Sequence, residues 1–337
     1  MPIPRVSVLL PVYNVESYIQ DTLGSLLRQT FPDFEIVVVD DCSTDRTAER
    51  VAALNDPRIR LVTNAVNLGR AGSDNYGMTL VRGELVAKMD GDDLCHPERL
   101  ARQVAFLDAH PGVDVVGSWV QCFGAGRMLF EYPADPADTR AGMVFNMTIG
   151  NPSVMLRAHR WRVLGLCYDD QLRQTEDYDF FGRYLGQLTI ANLPEALVDY
   201  RVLPQAVRPA VYEQRLRVAN EVRARLLTTF GVHYSAWELH LHNTISHHPF
   251  TLGDLTLPEV HDWLWKIYTS NQHSGFADSA ALLRAVAERW FLTCYLNPDK
   301  RTNSLREYQR QPLARHYAPP AKLRGKFLLK SYVLRHF

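Results

Sequence analysis

The chain has 337 residues, enough for two domains, because single cores seldom grow past about 300 residues. Its 37 basic and 37 acidic side chains cancel, which excludes an overall field that would gather nucleic acid, and 46% hydrophobic content excludes a mainly disordered chain. Cys42, Cys95, Cys122, Cys167 and Cys294 are widely spaced with no CxxC pair, which fits reduced thiols in a cytosolic protein and not a disulfide frame.

The opening stretch MPIPRVSVLLPVYN holds one Arg and an apolar run broken by Pro11, so it reads as a first core strand, not a signal peptide. A helix follows near residues 16–30, with Ile19, Leu23, Leu26 and Leu27 on one face. Then come the strand EIVVVD and a helix near 44–54, for which Ser43 or Thr44 is the expected N-cap. RIRLVT, a helix near 70–81 and the strand ELVAKMD continue the alternation. His96-Pro97-Glu98 opens a further helix with Leu100, Val104 and Leu107 as its buried stripe, and VDVVGSWVQCF is another strand. Strands apolar on both faces, separated by helices, predict βαβ units and a mostly parallel sheet.

In such sheets ligands bind beyond the carboxyl ends of the strands. Three polar clusters fall there: Pro11-Val12-Tyr13-Asn14, Asp40 to Asp45, and Asp90-Gly91-Asp92-Asp93. All are expected to open onto one crevice. Three carboxylates at one strand end repel each other unless a cation joins them. Two or three can hold a hard divalent ion and leave positions for water and phosphate oxygens; a turn of solvated Asp residues is the plainer alternative. Asp41 either receives a hydrogen bond from a base N–H or caps the helix after it. Glu176 and Asp177 precede an apolar helical stripe of Tyr178, Phe181, Tyr184 and Leu185. At a helix N-terminus the dipole favours an ionised carboxylate, which suits a general base but equally a residue that only stabilises the helix.

From about residue 206 helical patterns dominate, in YEQRLRVANEVRARLLTTFG, LPEVHDWLWKIYTS and SAALLRAVAERWFLTCYL. His233, His240, His242, His247, His248 and His261 crowd into this region without a Cys or carboxylate at a familiar zinc spacing, so they read as ordinary surface and core histidines. Between Tyr308 and Phe337 there is no acidic residue, while Arg310, Arg315, Lys322, Arg324, Lys326, Lys330 and Arg335 are basic. That segment reads either as a closing helix or as a basic surface for anionic membrane. No apolar run approaches the ~18 residues that span a bilayer. No GxGxxG follows the first strand, where PVYN stands instead, which opposes a dinucleotide oxidoreductase.

Taken in order, VSVLLPVYN, FEIVVVDDCSTD, NLGRAGSDNYGM, GELVAKMDGDDLCHPERL, NPSVMLR, TEDYDFFGRYL and LPEALVDYR resemble the family 2 glycosyltransferases of GT-A fold, over about residues 4–204. The resemblance implies an α/β, Rossmann-like GT-A domain over 1–205; the helical region over 206–337 falls outside it and is expected to serve acceptor, oligomer or membrane contact. It also implies inverting transfer of a sugar from a nucleotide-diphosphate donor, UDP-sugar favoured, to a glycan or lipid-linked hydroxyl, with Mn²⁺ or Mg²⁺ as cofactor. Carried onto this chain, Asp92 and Asp90 are the Asp-x-Asp pair, with Asp92 the direct metal ligand and Asp93 a lesser contributor. Asp41 reads the base, Pro11 and Tyr13 line its pocket, Arg70 contacts phosphate or base, Glu176 binds substrate, and Asp177 is the catalytic base. Surface polysaccharide synthesis in the cytoplasm or at the cytoplasmic membrane face is the implied setting, and a non-catalytic nucleotide- or glycan-binding module is the alternative. Two departures stand out. Asp199 to Pro204 lacks the His that many relatives place after Tyr-Arg, so that loop is assigned no catalytic role. Both Arg-Trp pairs, Arg160-Trp161 and Arg289-Trp290, lack the Gln of processive membrane synthases.

Overall fold

The computed structural model describes residues 3–203, 209–247, 250–297 and 303–336. Among them nine strands form one sheet: β1 (Val6–Val12), β2 (Phe34–Asp40), β3 (Ile59–Thr63), β4 (Leu85–Lys88), β5 (Leu94–Cys95), β6 (Val115–Gly124), β7 (Leu129–Phe130), β8 (Met155–Arg157) and β9 (Ile190–Val202). The order is β3-β2-β1-β4-β8-β6-β9-β5, with β7 beside β6. β3, β2, β1 and β4 run parallel. β8 is antiparallel to β4 and β6, and β6 and β9 are again parallel.

β1 and β2 are buried nearly throughout because each face meets a different helix. Val6, Val8 and Leu10 share a core with Ile19, Leu23 and Leu26 of the helix Ile19–Leu27 and with Leu100, Val104 and Leu107 of the helix Arg99–Ala109. On the other face Leu9 lies against Gly77 of the helix Gly69–Leu80, at a distance that a side chain there would obstruct. The register pairs Val12 with Asp40 and Leu9 with Lys88, so the carboxyl ends of β1, β2 and β4 emerge together.

The helix expected near 44–54 is shorter, Thr47–Ala52, and neither Ser43 nor Thr44 caps it. Ser43 Oγ accepts the Asn14 N–H (3.0 Å), and the Thr44 N–H donates to Asn14 Oδ1 (2.8 Å). Asp45 takes over at the helix start by accepting the Thr47 N–H (2.9 Å). These short polar residues thus serve the loop between two strand ends rather than the next helix.

The described chain forms two compact units, Met1–Thr139 with Met147–Ala219, and Arg140–Asn146 with Asn220–Phe337. The second unit is helical. Its helices Ala236–Ser246 and Leu257–Ser274 begin with capping boxes, Ser235 with Glu238 and Thr256 with Glu259. Trp290 and Phe291 are fully buried. His242 is a core residue: Nε2 donates to Val144 O (3.0 Å) and Nδ1 accepts from Trp263 Nε1 (3.2 Å), while burial pushes its imidazole down to about 3 and keeps it neutral. His261 is likewise buried, stacked on Trp265, and His248 lies outside the described residues.

In the helix Ala321–His336, Phe327 is buried among the rings of Phe291, Tyr295 and Tyr308. Lys330 donates to Tyr295 O (2.7 Å) and Asn297 O (2.9 Å). Leu328 and Leu329 are 46% and 63% exposed, and Lys322, Arg324 and Lys326 around them are exposed too. No helix among the described residues is long and apolar enough to cross a membrane.

Candidate functional site

The acidic turn begins where β4 ends and is held from three sides. The Met89 N–H donates to Leu9 O (3.1 Å), tying its start to β1. The Thr22 hydroxyl lies within hydrogen-bond distance of Gly91 O (3.0 Å) and Asp93 O (2.8 Å). Gly91 is required because a Cβ there would sit 2.8 Å from Val12 Cγ1. From β9, the Arg201 N–H donates to Asp93 Oδ1 (2.8 Å) and Arg201 Nε to Asp92 O (2.8 Å). The Arg201 guanidinium lies 4.6 Å from the Tyr18 ring and 4.5 Å from the Phe123 ring, so its plane is fixed.

The three carboxylates of the turn differ in their partners. Asp90 is ion-paired to Arg70. Asp93 is fully buried, with Oδ2 unpartnered. Asp92 has no ion-pair partner among the described residues. Burial, then the charge of Asp90, pushes Asp92 up to about 6, and burial with both neighbours pushes Asp93 up to about 9. Acidic groups have been gathered out of water beyond what the cation paired to them, Arg70, neutralises. This donor set fits a hard divalent ion, which prefers carboxylate oxygens. Among the described residues no three His, Cys, Asp or Glu side chains converge to hold a metal unaided, so a cation here would draw further ligands from water or a bound anion.

Asp41, at the end of β2, is 3% exposed and organises the loop before the 69–80 helix. Oδ1 accepts from Asn64 Nδ2 (2.8 Å) and the Leu68 N–H (2.7 Å), and Oδ2 accepts the Gly69 N–H (2.8 Å). Gly69 meets this with φ +75°, a conformation costly to residues with a Cβ. Asp41 therefore holds the loop and the start of the helix Gly69–Leu80 rather than capping the helix Thr47–Ala52 that follows it in sequence, and its second oxygen retains acceptor capacity.

Glu176 and Asp177 open the helix Glu176–Tyr184, after Thr175 in the left-handed conformation (φ 63°). Tyr178 and Phe181 are buried beneath, and Phe180 stacks on Trp161 and Tyr168, which anchors the helix start. Asp177 Oδ1 accepts the Tyr178 N–H (2.8 Å). Burial raises the Asp177 carboxyl above its ordinary value, with the Arg70 charge opposing, and Glu176 is raised for the same reasons. Arg70 links the two acidic groups: it pairs with Asp90 and, through Nε, with Glu176 Oε1 (3.4 Å). Beneath it, Asp74 is paired to the fully buried Lys88, whose ammonium sits 4.7 Å from the Tyr168 ring.

A cavity of about 390 Å³ brings together Pro11, Tyr13, Asp41, Arg70, Asp90 and Asp92, with Asn67, Arg173 and Tyr200 also on its wall. Glu176 and Asp177 are outside that lining, and Arg70 connects Glu176 to it. Sequence reasoning passed over Tyr200 and Arg201, which sit in the stretch assigned no catalytic role; Pro204 of that stretch lies outside the described residues. The adjacent Tyr-Arg pair was the available signal, but the partners of Arg201, Asp92 and Asp93, are more than 100 residues away.

The sequence model described as Glycosyl transferase family 2 matches residues 7–135, which carry β1 to β7. The putative glycosyltransferase EpsE of Bacillus subtilis is 34% identical over 208 residues, 59% of this chain and 73% of its own length. The chain is a glycosyltransferase of family 2. The putative colanic acid biosynthesis glycosyl transferase WcaA of Escherichia coli is 31% identical over 191 residues, 53% of this chain and 66% of its own. This glycosyltransferase therefore has relatives named for polysaccharide biosynthesis. Among solved structures, TarS of S. aureus in complex with UDP-GlcNAc aligns with a TM-score of 0.57 at 20% identity, over 93% of this chain and 89% of that one. A mannosyltransferase of Pyrobaculum calidifontis, in complex with GDP-Man and Mn²⁺, aligns with a TM-score of 0.52 at 19% identity, over 86% and 87%. These likenesses give the fold, GT-A.

Proposed function

We propose that this enzyme transfers a sugar from a nucleotide-diphosphate donor, with UDP-sugar favoured, to a hydroxyl of a glycan or lipid-linked acceptor, with inversion at the anomeric carbon, in surface polysaccharide synthesis. The observation that carries this reading is the Arg70 bridge, which joins a cavity lined by Tyr13, Asp41, Asp90 and Asp92 to the helix start that bears Asp177. Cation-binding carboxylates and a raised-pKa carboxylate then serve one reaction. Pro11 and Tyr13 pack against the base and Asp41 accepts from it. Asp92 and Asp90 would hold Mn²⁺ or Mg²⁺, whose charge would stabilise the departing diphosphate. Asp177 takes the acceptor hydroxyl proton as that oxygen attacks, and its raised pKa makes it a stronger base than an ordinary aspartate. A single displacement needs no covalent intermediate and inverts the sugar.

Thermal melts against UDP-, GDP-, dTDP- and CMP-sugars, each with Mn²⁺ and again with EDTA, test this, because a ligand that binds only the folded state raises Tm. A metal-dependent rise with UDP-sugars is expected, and a different nucleotide class would reassign the donor. Folded protein that shifts with none of them would sink the reading.

The acceptor reading extends to the membrane. Leu328 and Leu329 stand exposed beside Lys322, Arg324 and Lys326, a mixture suited to the anionic cytoplasmic leaflet, where each cation is worth about 1 kcal/mol. Arg335 belongs to the same basic run, but its side chain lies outside those described. Deleting residues 320–337 is expected to abolish co-sedimentation with phosphatidylglycerol vesicles. Undiminished binding would remove the membrane role.

A further inference from the structure

Arg70 stands at the second position of the helix Gly69–Leu80, with carboxylates on two other elements as partners: Asp90 after β4 and Glu176 at the next helix start. Both acids are buried, at 8% and 5% exposure. The nearby Asp74 is already neutralised by Lys88, so the Arg70 charge is directed at the acidic turn. It neutralises the first carboxylate of the Asp-Gly-Asp turn and leaves the second, Asp92, without a counter-ion.

We infer that Arg70 makes divalent-metal binding contingent on the diphosphate: with the site empty of nucleotide, Arg70 holds Asp90 and repels a second cation. This rests on the metal reading proposed above. A metal ligated by both Asp90 and Asp92 must compete with the guanidinium for Asp90 and lie close to its positive charge, and at a partly buried site this repulsion is screened far less than in water. The turn alone also offers too few ligands, since no three acidic, His or Cys side chains converge among the described residues. A diphosphate changes both conditions. Its oxygens accept from the guanidinium in the fork geometry that arginine matches, and they complete the coordination of the metal. By linkage, metal must then strengthen nucleotide binding by the same factor by which nucleotide strengthens metal binding.

The test is Mn²⁺ binding to the full chain, read from the EPR signal of free Mn²⁺, without nucleotide and with saturating UDP or GDP. Wild type is expected to bind bare Mn²⁺ weakly and to gain roughly 5- to 150-fold on adding the nucleotide. Arg70→Gln is expected to bind bare Mn²⁺ about tenfold more tightly than wild type, within that same coupling range, and to gain less from nucleotide. Arg70→Lys, which keeps the charge, should stay near wild type without nucleotide, and Asp92→Asn should lose binding in every arm. If Arg70→Gln binds bare Mn²⁺ no better than wild type while nucleotide still tightens binding, the contingency is overturned and the metal reading stands. If wild type binds no Mn²⁺ with either nucleotide, the metal reading falls and takes the contingency with it. Should Arg70→Gln not fold, Glu176→Gln reads the same contest from the other side. Freed of Glu176, Arg70 holds Asp90 more firmly, so bare Mn²⁺ is expected to bind more weakly than in wild type, and unchanged affinity overturns the inference.

Discussion

Asp177→Asn is expected to lower kcat by about 10²- to 10⁴-fold, the range that a positioned general base contributes, while leaving metal-dependent nucleotide binding near wild type. Asparagine keeps the size of the side chain and an oxygen that can accept the Tyr178 N–H, so the local hydrogen bond survives and basicity is lost. The helix start also loses a negative charge, worth about 0.3–1 kcal/mol, too little to unfold a helix whose Tyr178, Phe180 and Phe181 are buried. Transfer from a radiolabelled donor to acceptor in membrane extracts measures the rate, and thermal melts with donor and Mn²⁺ measure the binding. Because Asp177 must be ionised to accept a proton, wild-type kcat should fall as pH drops through its raised pKa. Near-normal transfer by Asp177→Asn would strip Asp177 of this role. If Glu176→Gln alone abolishes transfer, the base is its neighbour, whose present bond to Arg70 marks it as a binding group.

The sheet and its main helices were legible because each strand is a short apolar run and each helix repeats its apolar residues every three or four positions. EIVVVD and VSVLLPV are buried on both faces, as their lack of alternation implied. The convergence of Pro11, Tyr13, Asp41, Asp90 and Asp92 on one cavity follows from parallel pairing, which puts the ends of β1, β2 and β4 at one edge. What escaped were contacts whose partners lie far apart in the chain. Ser43 and Thr44 looked like caps because such residues often are, yet Asn14, some thirty positions back, holds both. Arg201 looked idle because nothing in VDYRVLP points to Asp92 and Asp93, although β9 brings it to them through its pairing with β5 and β6. The role of Arg70 as a bridge was similarly hidden, because its two carboxylate partners depend on the approach of two distant elements.

Asp92→Asn is expected to abolish the Mn²⁺-dependent thermal shift with donor, to reduce transfer at least 10²-fold, and at the same time to make the ligand-free protein more stable at neutral pH. The first two effects follow from its place in the turn. Asp90 is already committed to Arg70 and Asp93 to the Arg201 N–H, so Asp92 is the carboxylate left to meet a cation, and an amide is a far poorer ligand for a hard divalent ion. The stability effect follows from its pKa. Burial and the neighbouring Asp90 raise Asp92 to about 6, well above its unfolded value, so the folded state holds the ionised form at a cost. Below the unfolded pKa, near 4, the group is protonated in both states and asparagine gains nothing by replacing it. Between pH 4 and 6 the folded state retains the proton more firmly, wild-type stability declines relative to the variant, and above pH 6 the full difference is present. Each kcal/mol so relieved raises Tm by about 2–4 °C in a domain of this size. Melting curves of both proteins in EDTA at pH 4, 5, 6 and 7 give the comparison. A Tm advantage that opens as pH rises, together with loss of the metal response, marks a turn whose charge is kept for binding at the expense of stability. Equal melting at every pH would mean that Asp92 finds its neutralisation inside the protein, and that the acidic turn does not await a cation.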